Sequence, residues 1–546
     1  MLRYYKVIFS WLLVCFLFGC ENKAKLMFTL LDKDRTGIKF KNELFDSEML
    51  NIFNFPYYYN GGGVAIGDIN NDGLQDILFT GNMVKNRLYL NKGNFDFEDI
   101  TELSGVAELQ GWCTGATTID INNDGFMDFY ICRSADSNSS RRKNLLFVNN
   151  GDLSFSEKAE EYGLADKGYS TQASFFDYDK DGDLDCFIIN HSLQNYASGE
   201  QFNSELRKRY NPYTACRLYK NNQGYYEDVS NQAGIISNFL TSGLGLGISD
   251  INNDGWPDVY VSNDYNEPDY LFINNSDGTF KEQISERTDQ VSLYSMGSDI
   301  ADYNNDGLTD IVTLDMLPED NKMQKLHSGP DNFNKFQNLF QRGFYYQYSR
   351  NMLQKNNGDG TFSEIGQLAG ISNTDWSWAP LLADYDHDGH KDLFITNGYV
   401  RDYTNMDFVN FSVNHIVKGR AGEKVDELNE YISKMPPNPL PNYIFQNNGD
   451  TSFKNKTQDW GLEKNTVSTG AAYADLDNDG DLDLVINNVN EYSMIYKNNS
   501  ETVSRNNYLK IKLVGTKSNI NAIGTKVILY YDNIINMQEA YVSRGY

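Results

Sequence analysis

The chain is short of positive charge, of histidine and of cysteine pairs. It carries 47 Lys and Arg against 75 Asp and Glu, a net charge of −28. No Lys/Arg-rich stripe is visible. A phosphate backbone needs basic partners, so no nucleic-acid partner is expected. There are five histidines, at 191, 327, 387, 390 and 415. No Gly-x-Ser-x-Gly, His-Glu-x-x-His or Gly-rich phosphate loop occurs, so no catalytic residue is assigned and the chain is not read as an enzyme. No Cys-x-x-Cys pair is present, which removes a thiolate zinc site and a dithiol redox site. The one long apolar stretch, Val7 to Phe18, is too short for a comfortable membrane span.

What is present instead is a repeated acidic loop. The pattern Asp-x-Asp/Asn-x-Asp-Gly-x-x-Asp occurs seven times, each time between two apolar runs. Positions 1, 3, 5 and 9 are Asp68, Asn70, Asp72 and Asp76 in the first copy, and Asp120, Asn122, Asp124 and Asp128 in the second. They are Asp177, Asp179, Asp181 and Asp185 in the third, and Asp250, Asn252, Asp254 and Asp258 in the fourth. The last three copies bring Asp302, Asn304, Asp306 and Asp310; Asp384, Asp386, Asp388 and Asp392; and Asp475, Asp477, Asp479 and Asp483.

Alternate oxygen-bearing side chains of a tight loop converge on one point, and Ca²⁺ takes six to eight oxygens. Gly at position 6 permits the turn. Up to seven Ca²⁺ sites are therefore expected, with Asp at position 3 tightening binding relative to Asn. An EF-hand needs a Glu at position 12 and flanking helices. Here position 12 is Phe79 or Ile131, and the flanks are short β-rich runs. Seven ions would halve the net charge of −28.

A second signature follows each loop: an apolar strand ending in Asn, a turn, and a strand with Phe or Tyr. Arg87-Leu88-Tyr89-Leu90-Asn91 and Phe97-Glu98-Asp99-Ile100-Thr101 are the first example. Each unit thus holds four short strands, A to D, in meander order, with the acidic loop joining A to B. Such a sheet cannot bury both faces alone; packed radially, seven can. The fold class expected is all-β: a seven-bladed β-propeller of four-stranded antiparallel blades. The seventh unit lacks a fourth strand after Asn498, and Gly37-Ile38-Lys39-Phe40 is expected to supply it and close the ring.

These loops, with the Leu-x-x-Asn and Phe-x-Asp-x-Thr pieces, resemble FG-GAP/VCBS repeats of the integrin α-like kind, over roughly residues 26–500. The tail, from Asn507-Tyr508-Leu509 through Ala522-Ile523-Gly524-Thr525-Lys526-Val527, resembles the ASPIC/UnbV module that follows such propellers in the cartilage acidic protein family. At the other end, Arg3 and Lys6 precede the apolar stretch, and Leu17-Phe18-Gly19-Cys20 resembles a bacterial lipobox.

The organisation that follows is a signal peptide at 1–19, a propeller at 20–500 and an incomplete β-rich module at 505–546. Lipid on Cys20 would tether the protein to the membrane, outside the cytoplasm, on a bacterial outer membrane or cell surface. An ordinary signal peptide or an uncleaved anchor is the alternative. Cys113 with Cys132, and Cys186 with Cys216, could form disulfides or remain buried thiols.

Three B–C connections are long, at about 191–215, 315–350 and 398–442. All should lie on the face opposite the acidic loops. Loops of this length are functional or packed on each other. The second holds Phe333, Phe336, Phe340, Phe344, Tyr345, Tyr346 and Tyr348, and residues 331–348 are expected to be removable without loss of fold. The third holds a predicted helix at 421–433 and the element Asn397-Gly398-Tyr399-Val400-Arg401-Asp402-Tyr403, for which no role is derived. Trp376 and Trp378 are expected to pack between blades. The function expected is that of a calcium-binding extracytoplasmic binding or adhesion module, with a protein or glycan ligand on the insert face. An envelope enzyme acting on glycans, or a structural envelope component, is the alternative.

Overall fold

The computed structural model describes residues 25–107, 111–192, 204–236, 238–327, 333–504, 506–516, 518–531 and 534–545. The expected signal peptide and Cys20 lie outside them. Seven four-stranded antiparallel sheets form seven blades. Blade 1 runs Val64–Gly67, Asp76–Phe79, Arg87–Asn91 and Phe97–Asp99, from strand A to strand D. Blades 2 to 6 repeat that order, and the A strands of neighbouring blades touch all the way around a central channel.

The residues of one strand serve two cores, because successive side chains point to opposite faces. In strand B of blade 2, Phe129 and Ile131 pack toward blade 1, while Tyr130 and Cys132 pack toward blade 3. The same alternation decides the cysteines. Cys113 faces the blade 1–2 core and Cys132 the blade 2–3 core; Cys186 and Cys216 are likewise split between two cores. All four are buried, and none is in a disulfide among the described residues.

The ring is closed by Phe28–Leu30, which pairs with Met494–Asn498 in the register Phe28↔Asn498 and Leu30↔Tyr496. The expectation that Gly37–Phe40 closes it is wrong, and the repeat itself shows why. In blades 1, 5 and 6 a strand-D Phe opposes the strand-C Asn, as in Asn91↔Phe97, Asn356↔Phe362 and Asn447↔Phe453. A left-handed Gly then ends the short helix after strand D, as Gly105, Gly370 and Gly461 do. Gly37, at φ 76°, is that helix-ending Gly, not the strand. A Cβ on Gly37 would strike the Phe97 carbonyl of the next blade. Ile38 and Phe40 instead fill the core between blades 7 and 1.

The first insert holds a 3₁₀ turn at Ser204–Lys208. The second contains α1 (Asn321–His327) and α2 (Phe333–Gln341). The third contains α3 (Met406–Arg420) and α4 (Leu428–Ser433). The helix expected at 421–433 is thus only its C-terminal half, and the longer helix lies earlier. Asn405 caps α3 by accepting the Asp407 N–H, and its β-branched and Asn-rich sequence hides it from propensity reasoning. Residues 331–348 are not a removable loop. Phe344 is fully buried against Leu206, Leu240 and Leu339, and Gln347 and Tyr348 pair with Val291 and Ser292.

A segment that sequence reasoning passed over, residues 44–60, caps the channel on the insert face. Ile52, Phe55, Tyr58 and Tyr59 are buried there with Trp112, Leu244 and Val467. The C-terminal part forms a hairpin, Lys526–Tyr531 with Ile534–Glu539, on the opposite, acidic-loop face. From there Arg544 reaches into the channel and donates to Asp299 at 2.9 Å. Among the described residues no helix is long and apolar enough to cross a membrane.

Candidate cation loops and the insert-face cavity

The seven acidic loops share one backbone. Position 4 is left-handed in every copy: Asn71, Asn123, Lys180, Asn253, Asn305, His387 and Asn478, all at φ between 57° and 59°. Asn is the common choice because it tolerates that conformation best among residues with a side chain. Its amide also serves the ring: Asn71 donates to Gly125 O, Asn305 to Gly389 O and Asn478 to Gly73 O of the next loop.

Position 9 has a structural task of its own. One oxygen of Asp76 accepts the N–H of Ile69 at 3.0 Å and the other that of Asn91 at 2.7 Å. The remaining six copies repeat this staple between the loop and strand C, as Asp392 does with Tyr385 and Asn447. The Asn that ends strand C then crosses to the preceding blade: Asn149 donates to Ile69 O at 2.9 Å and Asn447 to Tyr303 O at 2.8 Å. The Leu-x-x-Asn signature is therefore an inter-blade tie.

The loops fall into two kinds. In blades 3, 6 and 7 position 3 is Asp, and carboxylates converge. Asp177, Asp179 and Asp185, then Asp384, Asp386 and Asp392, then Asp475, Asp477 and Asp479, each bring oxygens within 4.8 Å of one another. In blades 1, 2, 4 and 5 position 3 is Asn, and its amide donates to the position-5 carboxylate, as Asn70 does to Asp72 at 2.9 Å and Asn122 to Asp124 at 2.8 Å. An ion entering those four loops requires the amide to turn its oxygen inward.

The residues present fit a hard cation. Buried oxygens of Asp177, Asp179, Asp250, Asp475 and Asp477 have no hydrogen-bond partner among the described residues. Asp177, Asp179 and Asp185 in blade 3, and the matching residues of blades 6 and 7, would hold Ca²⁺, which would neutralise them. Burial, helped by neighbouring carboxylates, pushes Asp185 up to about 9, Asp483 to about 8, Asp384 to about 7 and Asp177 to about 6.

Two lysines qualify the expectation that Asp at position 3 tightens binding. Lys220 pairs with Asp179 and with Asp181, the latter at 3.1 Å; Lys497 pairs with Asp477 and with Asp479, the latter at 2.6 Å. In blade 6 the corresponding residue is Gln446, which donates to Asp386. In blades 3 and 7 the extra negative charge thus arrives with an ammonium that competes with an ion. Replacing Lys220 with Met is expected to tighten Ca²⁺ binding at blade 3 at least roughly fivefold, since one repelling charge near the ion costs about 1 kcal/mol even at the dielectric of water. Calorimetric titration reads this directly. Weaker binding in the variant would show that Lys220 organises the loop instead.

On the opposite face, loops after strand B and before strand A enclose a cavity of about 430 Å³. Its lining includes Tyr57, Asp264, Tyr265, Tyr294, His327, Trp376, Trp378, Tyr399 and Tyr403. Trp376 stacks on Tyr399 with centroids 3.9 Å apart, and Trp378 lies parallel beyond it. Both tryptophans therefore build the mouth of the channel and not, as expected, only an inter-blade core. The element at 397–403 gains a role: Tyr399 and Tyr403 line the cavity, and Asp402 holds His327 at 2.6 Å. Burial pulls the His327 pKa down, but the bond and charge of Asp402 outweigh it and leave it raised. The aromatic run Phe53 to Tyr59 was the sequence signal for this site.

An FG-GAP-like repeat family matches residues 68–131, 250–313, 343–395 and 432–486, stretches that take in six of the seven acidic loops. The chain carries FG-GAP-like repeats. It is homologous to cartilage acidic protein 1: 26% identical over 489 residues to that of Xenopus tropicalis, covering 86% of this chain and 63% of that protein. The Homo sapiens protein is 24% identical over 487 residues, covering 86% and 62%. The FG-GAP-like chain thus spans a little under two thirds of the length of the curated relatives it matches. A solved Agrocybe aegerita lectin that recognises non-reducing terminal N-acetylglucosamine aligns at 14% identity, over 80% of this chain and 87% of that one, with a TM-score of 0.38.

Proposed function

We propose that this FG-GAP-like propeller is a calcium-stabilised, extracytoplasmic binding module that takes its partner on the insert face and is tethered through lipid on Cys20. The observation that carries the reading is the aromatic cavity at the channel mouth. The other face is occupied by the chain itself: Lys526 sits on Asp250 and Asn253, Lys510 on Asp475 and Asn478, and the C-terminal hairpin lies across the loops.

An enzymatic reading on glycans is less well supported. A glycosidase uses two carboxylates about the scissile bond, whereas among the described lining residues Asp264 is the single one. Ser134 and His191 lie 2.5 Å apart, but both are buried, Tyr57 packs on the His191 ring, and the other ring nitrogen faces the Ser192 carbonyl, not a carboxylate.

One experiment tests anchoring and face together. A Cys20→Ser strain is expected to release the protein into the soluble fraction, and the released protein then serves as bait for envelope proteins and glycans. Tyr403→Leu in the cavity should lower capture at least tenfold, whereas Asp72→Ala on the loop face should leave it within about twofold. Continued membrane partitioning would refute the lipid anchor. Capture lost through Asp72→Ala in a folded protein would reverse the face assignment.

A further inference from the structure

We infer that the insert-face cavity binds an alkylated ammonium group, the charged end of a choline-like molecule. The inference deepens the binding-module reading and rests on it, since it names the ligand chemistry of the same site.

Three features select this chemistry. First, the walls are aromatic on two sides: Trp376, Trp378, Tyr399 and Tyr403 from blade 6, and Tyr57, Tyr265 and Tyr294 from the cap and from blades 4 and 5. These rings meet edge to face or stacked, as Tyr57 and Tyr265 do at 6.2 Å and Trp376 and Tyr399 at 3.9 Å. Ring faces attract a cation, more strongly where water is excluded.

Second, among the described residues the lining carries one carboxylate and no Lys or Arg. Asp264 is 5% exposed, accepts the Tyr265 N–H at 2.7 Å and faces the Tyr57 hydroxyl. Burial pushes its carboxyl up to about 8, and no Lys or Arg among the described lining residues supplies the positive partner a buried carboxylate needs. His327, which can carry positive charge on this wall, is engaged with Asp402.

Third, several polar groups of the lining are spent on the protein. The Gln324 amide donates to Pro318 O, the Ser349 hydroxyl to Asp315, and the Thr404 hydroxyl to Asp402. A sugar needs many free hydrogen-bonding groups, and these three are not among those it could use. A primary ammonium needs acceptors for three N–H bonds and would leave some unmade in this site. An alkylated ammonium has no such donors: it needs a carboxylate for charge and ring faces for contact. The volume of about 430 Å³ accommodates that group with part of the molecule bearing it.

The test is calorimetric titration of the full chain at about pH 8.5 with choline and with its uncharged carbon isostere, 3,3-dimethylbutan-1-ol. Choline is expected to bind at least ~10-fold more tightly than the isostere, the size of one or two ring contacts with a cation. Asp264→Asn should lower that preference at least ~3-fold, the rings still favouring the cation, while leaving the isostere unchanged. Tyr294→Leu, which removes one wall, covers the case in which Asp264→Asn fails to fold, and should weaken choline at least ~5-fold. Equal binding of the two compounds, or choline binding undiminished in both variants, overturns the inference. Absence of choline binding while Tyr403→Leu still abolishes capture of an envelope partner overturns the ligand class alone. Absence of both overturns the site.

Discussion

Calcium removal is expected to lower the thermal midpoint of this protein by several degrees, and by more at high pH than at low. The three convergent loops decide the size. A site held at 100 times its Kd contributes about 2.7 kcal/mol, so three give roughly 8 kcal/mol. A chain of this length loses roughly 1 kcal/mol per degree near its midpoint, which makes the expected shift about 8 °C.

The pH dependence follows from the carboxylates that burial raises. Without ion, Asp185 and Asp483 hold protons up to about 9 and 8, well above their unfolded values. The folded state then binds more protons than the unfolded one, so stability is greatest in acid and falls as pH rises from about 4 through the folded pKa values. An ion keeps the carboxylates charged and removes that loss. The gap between melts in Ca²⁺ and in EGTA should therefore widen from pH 5 to pH 8. Coincident midpoints at pH 8 would refute the cation assignment. A gap that narrows with pH would refute the burial argument.

Phe28→Ala is expected to destabilise the propeller more than the same change at Phe453. Both residues sit on strand D opposite the strand-C Asn, and both are buried. Truncating a buried Phe costs about 3–5 kcal/mol from lost contact and cavity. The strand holding Phe453 is tethered to strand C by a tight hairpin, Asn447–Phe453. The strand holding Phe28 arrives from the far end of the chain, and little but its own contacts keeps it paired. Loosening it also exposes the edge of Met494–Asn498. Hydrogen exchange at Asn499 and Leu31, whose N–H groups are held by Met27 O and Ile495 O across this pairing, should rise sharply in Phe28→Ala, and the midpoint should fall further than in Phe453→Ala. Equal effects would show that ring closure is spread over the blade interfaces and not concentrated at this strand.

Where reading the repeat failed, it failed by misalignment or by distance. Gly37-Ile38 was legible as part of the seventh unit, but it matches the helix-ending Gly105-Val106 and not a strand. The Phe that should have been sought lies nine residues earlier, at Phe28. Cys113 and Cys132 are near in sequence, yet alternation along a strand sends them to different cores. Trp376, Tyr399 and the run at 53–59 were each visible as aromatic, but nothing local tells that three distant segments meet at one channel mouth. Likewise, Asp179 was legible as an extra ligand, while Lys220 beside it belongs to strand C, and only the hairpin brings it close.

What the sequence by itself determined is the unit and its number. A loop with Asn or an equivalent at its left-handed position, Gly at position 6 and a carboxylate at position 9 folds by local hydrogen bonds. A four-stranded meander follows from turn spacing and period-two apolar pattern. Seven such sheets, each unable to bury both faces, have to pack on one another. The tertiary structure decided which strand closes the ring, which loops bring carboxylates together, and which aromatic residues surround a cavity. Those outcomes depend on contacts between residues hundreds of positions apart, and such contacts are set by how the blades pack around a common axis, which no window of sequence contains.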